Sequence, residues 1–137
     1  MTISNVANPS DLFLRRALMA DAAVSGSTGV LTVIGSSLLQ DLLGLPPTLM
    51  LYAGLSLLPF AAIVAFLATR KQLSRAAVWA VIAYNALWAI DSLVLLMSGW
   101  MAPTILGEVF VAGQALVVAI FAELQYVGLR RSGAAIV

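Results

Sequence analysis

Apolar and polar positions alternate on a long scale in this chain: four extended hydrophobic stretches, near 17–39, 48–69, 76–98 and 102–127, are separated by short polar breaks. Each stretch is long enough to cross roughly 30 Å of hydrocarbon at about 1.5 Å per residue, so each predicts a transmembrane helix. The first is the least hydrophobic and the fourth the longest. Ser10 and Asp11 after Pro9 form a helix start, so the first helix is expected to begin ahead of its apolar part. "GLPPT" (44–48), "RKQLSR" (70–75) and "SGWMAPT" (98–104) are the breaks, with Pro103 expected in the first turn of the fourth helix. Arg15-Arg16 followed by an apolar run is also the opening of a signal peptide. The run is too long for one and "SSLLQD" is a poor cleavage site, so an uncleaved first span is expected.

Composition narrows the class. Of 137 residues, 62% are hydrophobic and 9% charged, which a soluble domain of this size does not accommodate. The expectation is an all-α, polytopic membrane protein, one domain over 1–137, built as an antiparallel four-helix transmembrane bundle. With no cysteine and no histidine, zinc and copper sites on those ligands and a histidine-ligated haem are excluded. No metal site and no cofactor are expected. No phosphate-cradling glycine loop is present, nor a nucleophile with a base beside it, so no catalytic residue is assigned and an enzyme is not expected. Nucleic acid is not an expected partner.

Charge gives orientation. Arg15, Arg16, Arg70, Lys71, Arg75, Arg130 and Arg131 lie at the N-terminus, in the loop between the second and third spans, or at the C-terminus. The other two loops carry no basic residue. The positive-inside rule then places both termini in the cytoplasm. Trp100 and Tyr126 fall near opposite membrane faces, where interfacial aromatics gather.

The polar residues inside the spans are the candidate chemistry. Asp21, Ser25, Thr28, Thr32 and Ser36 fall within about 80° of one another on the first helix, and Ser25 and Gly29 form a small-x-x-x-small step on nearly the same face. The stripe is either packing glue or a wetted pathway. Asp21 and Glu123 form an acid pair by depth, near the cytoplasmic side, with Arg16, Arg130 and Arg131 available as snorkelling partners. Asp91 and Glu108 are expected at similar depth in the outer half. No basic residue occurs from 76 to 129, which leaves them a bound proton, a shared proton, a cation or water. Tyr84, Trp88 and Asp91 project to one side of the third span with Asn85 at its edge, and Gln114 is expected near the depth of Asn85. Aromatic rings beside a carboxylate suit an organic cation. These six residues, Asp91, Glu108, Asn85, Trp88, Tyr84 and Gln114, are the candidate proton or cation site, with a structural hydrogen-bond cluster as the alternative. Pro59 in the second span predicts a kink.

The pieces "LRRALMADAAVSGSTGVL", "LLGLPPTLMLYAGLSLLPFAAIVAFLA", "YNALWAIDSLVLL" and "FAELQYVGLRR" cover most of the chain. Together they resemble an uncharacterised family of small bacterial four-helix integral membrane proteins, and that resemblance implies no particular activity. Small multidrug resistance transporters also have four helices and an acid in the first, a part Asp21 could play. The residues around Asp21 do not look like that family's glutamate motif, so no site residue is carried over. The leading expectation is a structural or accessory component acting in the lipid bilayer, as a homo-oligomer or with a membrane-protein partner. The alternative is a small oligomeric transporter or proton/cation pathway that uses Asp91, Glu108 and the polar stripe.

Overall fold

The computed structural model describes residues 9–132. Five helices account for nearly all of them: α1 (Pro9–Ile34), α2 (Ser36–Leu43), α3 (Pro47–Thr69), α4 (Arg75–Ser98) and α5 (Ile105–Ser132). Among the described residues the fold is all-helical. Four of the helices, all but α2, are long and apolar enough to cross a membrane. The first helix begins ahead of its apolar part, as Ser10 and Asp11 led one to expect, but it breaks at Gly35, whose φ of −93° and ψ of 9° leave helical geometry while the i to i−4 bonding runs on to either side. The fourth also starts later than expected, because residues 99–104 remain outside helix.

Local chemistry explains the boundaries. Gly44 closes α2 with a left-handed φ of 67°, and Pro47 opens α3 where its missing N–H costs nothing. Leu73, 1% exposed, anchors the loop before α4. Ser74 caps α4 by accepting from the Ala77 N–H at 3.2 Å. Gly99, at φ 74°, ends α4. The Thr104 hydroxyl accepts from the Gly107 N–H at 3.0 Å and starts α5. Pro103 therefore lies just outside α5 rather than in its first turn. Pro59 lies within an unbroken α3, on its exposed face.

Packing produces an incomplete ring. α1 lies against both α3 and α5, and α5 against α4, whereas α3 and α4 touch only sparsely. Lipid gives helices little hydrophobic reason to associate, so close backbone approach and hydrogen bonds must do so. Glycines mark those approaches. A Cβ on Gly54 would stand 2.5 Å from the Thr32 hydroxyl and 2.8 Å from the Gly29 carbonyl, and one on Gly107 would stand 1.9 Å from the Leu43 carbonyl. Hydrogen bonds also tie the end of α2 to the start of α5: Thr104 donates its hydroxyl to the Leu42 carbonyl at 2.8 Å and its backbone N–H to that of Leu43 at 3.0 Å.

Apolar cores sit at both ends. Leu14, Leu18, Phe60, Val64, Val78 and Leu129 fill the end that carries the basic residues. Leu43, Leu45, Met50 and Val111 fill the other. Large apolar side chains such as Ile63, Leu87, Ile90, Val109 and Leu116 cover the outside, which suits a bundle whose solvent is lipid.

Candidate functional site: a buried carboxylate and a cavity in the seam

The polar stripe on α1 divides into two environments. Its lower part is dry. Asp21 is 0% exposed, and one carboxylate oxygen accepts from the Asn85 side-chain amide at 2.7 Å and from that of Gln125 at 2.7 Å. The other accepts from the Ser25 hydroxyl at 2.9 Å. Asn85 also donates to the Gln125 side-chain oxygen at 3.1 Å. One carboxylate thus ties α1, α4 and α5 together at a single level. Hydrogen bonds from several donors are how a bundle keeps a buried acid without a basic partner.

This overturns the snorkelling expectation for Asp21. Arg16 is exposed, and the donors are neutral amides and a hydroxyl. Glu123 is exposed on the outside of α5, so the two acids near one depth face opposite ways. Arg130 and Arg131 lie instead over the rings of Tyr126 and Phe13, at 5.8 Å and 5.6 Å from their centroids. Arg15 turns back across the bundle. It donates to the Ala68 carbonyl at 2.8 Å, to that of Arg70, and to that of Lys71 at 2.8 Å, while its Nε pairs with Asp11 at 2.9 Å. A guanidinium there covers carbonyls that the end of α3 leaves without partners.

The upper part of the stripe lines a cavity. Thr28 and Thr32 face a space of about 340 Å³ whose opposite walls include Tyr52 and Ser56 on α3 and Trp88 and Asp91 on α4. Thr32 donates to the Thr28 carbonyl at 2.9 Å, so its hydroxyl is already occupied. Ser36 lies past the Gly35 break, on α2, and does not line the cavity. At the level of Tyr84 the seam between α3 and α4 is bridged: Tyr84 stacks on Phe60 with centroids 4.0 Å apart and shares a 2.9 Å hydrogen bond with Ser56. Beyond that bridge the helices part, and the exposed side chains of Tyr52, Ser56 and Asp91 border the opening.

Of the six candidate site residues, four are drawn into two separate clusters. Asn85 belongs to the Asp21 cluster. Trp88 and Gln114 form a second: the Trp88 indole N–H donates to the Gln114 side-chain oxygen at 2.7 Å, and the Gln114 amide donates to Ser92 at 2.8 Å. Tyr84 stacks between Phe60 and Trp88, 5.8 Å from the latter. Gln114 therefore does not share a level with Asn85. Its partner Ser92 lies seven residues farther along α4, roughly 10 Å. Asp91 lines the cavity and Glu108 does not. Glu108 is six residues before Gln114, roughly 9 Å beyond the Asp91 level, so the two acids share no site. Gln125, which completes the buried cluster, was missed in the sequence. Its signal was a neutral amide in the same turn as Glu123, on the opposite face of α5.

Among the described residues no group of three or more acidic side chains is placed to hold a metal ion. No family model, curated protein or solved structure matches the chain. Function is therefore read from geometry.

Proposed function

We propose that this chain is a small integral membrane protein without enzymatic activity, a structural or accessory component that assembles with itself or with a larger membrane partner. In this reading it crosses a bacterial inner membrane four times as an antiparallel bundle, with both termini and the loop carrying Arg70 and Lys71 in the cytoplasm.

The observation that carries the assembly is on the outer face of α5. Glu108, Ala112, Ala119 and Glu123 are all exposed, and at 100° per residue they fall within about 60° of one another. α5 has 28 residues, about 42 Å, and exceeds a hydrocarbon core of roughly 30 Å by about 6 Å at each end when centred. Glu123, nine residues from Ser132, then lies about 8 Å inside the core, facing lipid. An acid there is costly against hydrocarbon. A second protein surface removes that cost by supplying donors, and Ala112 and Ala119 let its backbone come close.

Because the chain has no cysteine, a single cysteine placed at Ala119 can carry a photocrosslinker in native membranes. The expected product is a discrete adduct with one protein, either a second copy or a partner of fixed mass. Adducts to lipid alone refute the assembly reading.

The transporter or proton/cation pathway is the second reading, and Asp91 in the seam cavity favours it. Against it, the buried Asp21 cluster and the apolar core around Leu18 and Val64 lie toward the end that carries the basic residues. A route therefore needs an oligomer rather than one chain.

A further inference from the structure

The seam cavity combines four features that the rest of the molecule does not. It has the lower-end volume of a ligand site, about 340 Å³ against a usual range of roughly 300–1,000 Å³. Its walls are mostly apolar, with Leu49, Leu57 and Phe110 among them. Its exposed lining residues include Tyr52 and Ser56 on α3 and Asp91 on α4, the two sides of the seam. Asp91 is the only acidic or basic side chain that lines it, and among the described residues no side chain donates a hydrogen bond to the Asp91 carboxylate.

Most of the nearest polar groups on α4 and α5 are already committed to one another. The Trp88 indole N–H is spent on Gln114, the Gln114 amide on Ser92, the Ser92 hydroxyl on the Trp88 carbonyl and the Thr32 hydroxyl on α1. The same bonds hold the Trp88 ring in place, one turn from Asp91 and stacked toward Tyr84. A missing positive charge, a fixed aromatic face and apolar walls together describe one kind of guest.

We propose that this cavity binds a small lipophilic organic cation, an amine or quaternary ammonium with an apolar group, which enters from within the bilayer. The ammonium sits at Asp91 over the Trp88 ring, and the apolar group lies against Leu57 and Phe110. The site stands independently of assembly through α5, because its residues face the seam and not the Glu108–Glu123 face.

The test uses the full chain in zwitterionic lipid nanodiscs, with Trp79 and Trp100 replaced by Phe so that fluorescence reports Trp88. The probes are benzyltrimethylammonium and its neutral isostere neopentylbenzene. The expected result is saturable quenching by the cation, weakened roughly tenfold or more in Asp91→Asn, with the isostere weak on both proteins. Ala53→Phe, which fills the cavity from the α3 wall, should abolish the response while leaving Asp91 in place. Absence of saturable cation binding overturns the proposal. So does equal binding of cation and isostere, an affinity indifferent to Asp91→Asn, or binding that survives Ala53→Phe.

Discussion

Replacing Asp21 separates a structural carboxylate from one that works through its charge. In Asp21→Ala the Gln125 amide loses its acceptor, the Asn85 amide loses one of two, and Ser25 must turn to its own helix. Two buried amide donors are then short of partners. Interhelical hydrogen bonds inside membranes are worth about 0.6 kcal/mol on average and up to about 1.7 kcal/mol, so the loss should be roughly 1–3 kcal/mol. Asp21→Asn behaves differently. Its carbonyl oxygen can take the place of the carboxylate oxygen that accepts from Asn85 and Gln125, and its amide can donate to the Ser25 hydroxyl. The Asn85 and Gln125 donors keep their acceptor, and only the second amide hydrogen and the Ser25 proton must find new ones, so the cost should be smaller than that of Asp21→Ala, about 1 kcal/mol. Reversible unfolding in bicelles, followed by steric trapping, measures both. The Asp21→Ala and Gln125→Ala double-mutant cycle should show positive coupling, since either change orphans the other residue. If Asp21→Asn is as damaging as Asp21→Ala, the negative charge itself is required, and the description of this cluster as structural is wrong.

Three further outcomes follow from the fold. Arg15→Ala should destabilise by about 2 kcal/mol through the loss of its carbonyl bonds at the end of α3, and Arg15→Lys should recover less than half, because an ammonium lacks the planar fork; the same unfolding assay decides, and full recovery by lysine would reduce the role to charge. Gly107→Ala should cost about 1–3 kcal/mol, since its Cβ would stand 1.9 Å from the Leu43 carbonyl, while Gly113→Ala, which meets nothing within 4 Å, should be neutral or stabilising by up to about 1 kcal/mol; equal effects at the two glycines would contradict the α2–α5 contact. Single cysteines at Lys71 and Arg131 should react with an impermeant maleimide from the cytoplasmic side of oriented vesicles, and those at Asp41 and Ser98 from the other; labelling of Lys71 and Asp41 positions from one side would refute the proposed topology.

The helices were legible in the sequence because long apolar runs with glycine and proline breaks leave few alternatives. The seam was not. Which pairs of helices touch depends on small-residue contacts such as Gly29 with Gly54, and one sequence shows the glycines but not their partners. The polar stripe was visible as a 100° periodicity. Its division at Ser25 was hidden, since that depends on whether the facing helices offer amides, as α4 and α5 do to Asp21, or stand apart, as α3 and α4 do beside Thr28. Counting from the turn puts Gln114 near the depth of Asn85. Residues 99–104 and the actual helix register put Gln125 there instead. Arg15 was counted only for topology, because nothing in its own neighbourhood reveals the carbonyls fifty residues away that it covers.

Asp21 and Asp91 look alike in the sequence: each is an acid in an apolar span, on a face with hydroxyls or aromatic rings nearby. What distinguishes them is supply. Asp21 receives donors from three elements and is sealed from its surroundings, so a substitution there should be felt as stability. Among the described residues Asp91 receives none, and it lies at the edge of a cavity where Trp88, Gln114, Ser92 and Thr32 are already paired. In a medium that offers no hydrogen bonds, a carboxyl the chain leaves unpartnered must find its partner elsewhere, in a proton, a water, a cation or another protein. Apolar walls and a fixed indole ring select among these for Asp91. Glu123 has neither, only a helix face with the small residues Ala112 and Ala119, which is where the proposed assembly would form. The two positions thus test separately: Asp91→Asn should leave crosslinking at Ala119 unchanged, and a change at Glu123 should leave cation quenching of Trp88 unchanged.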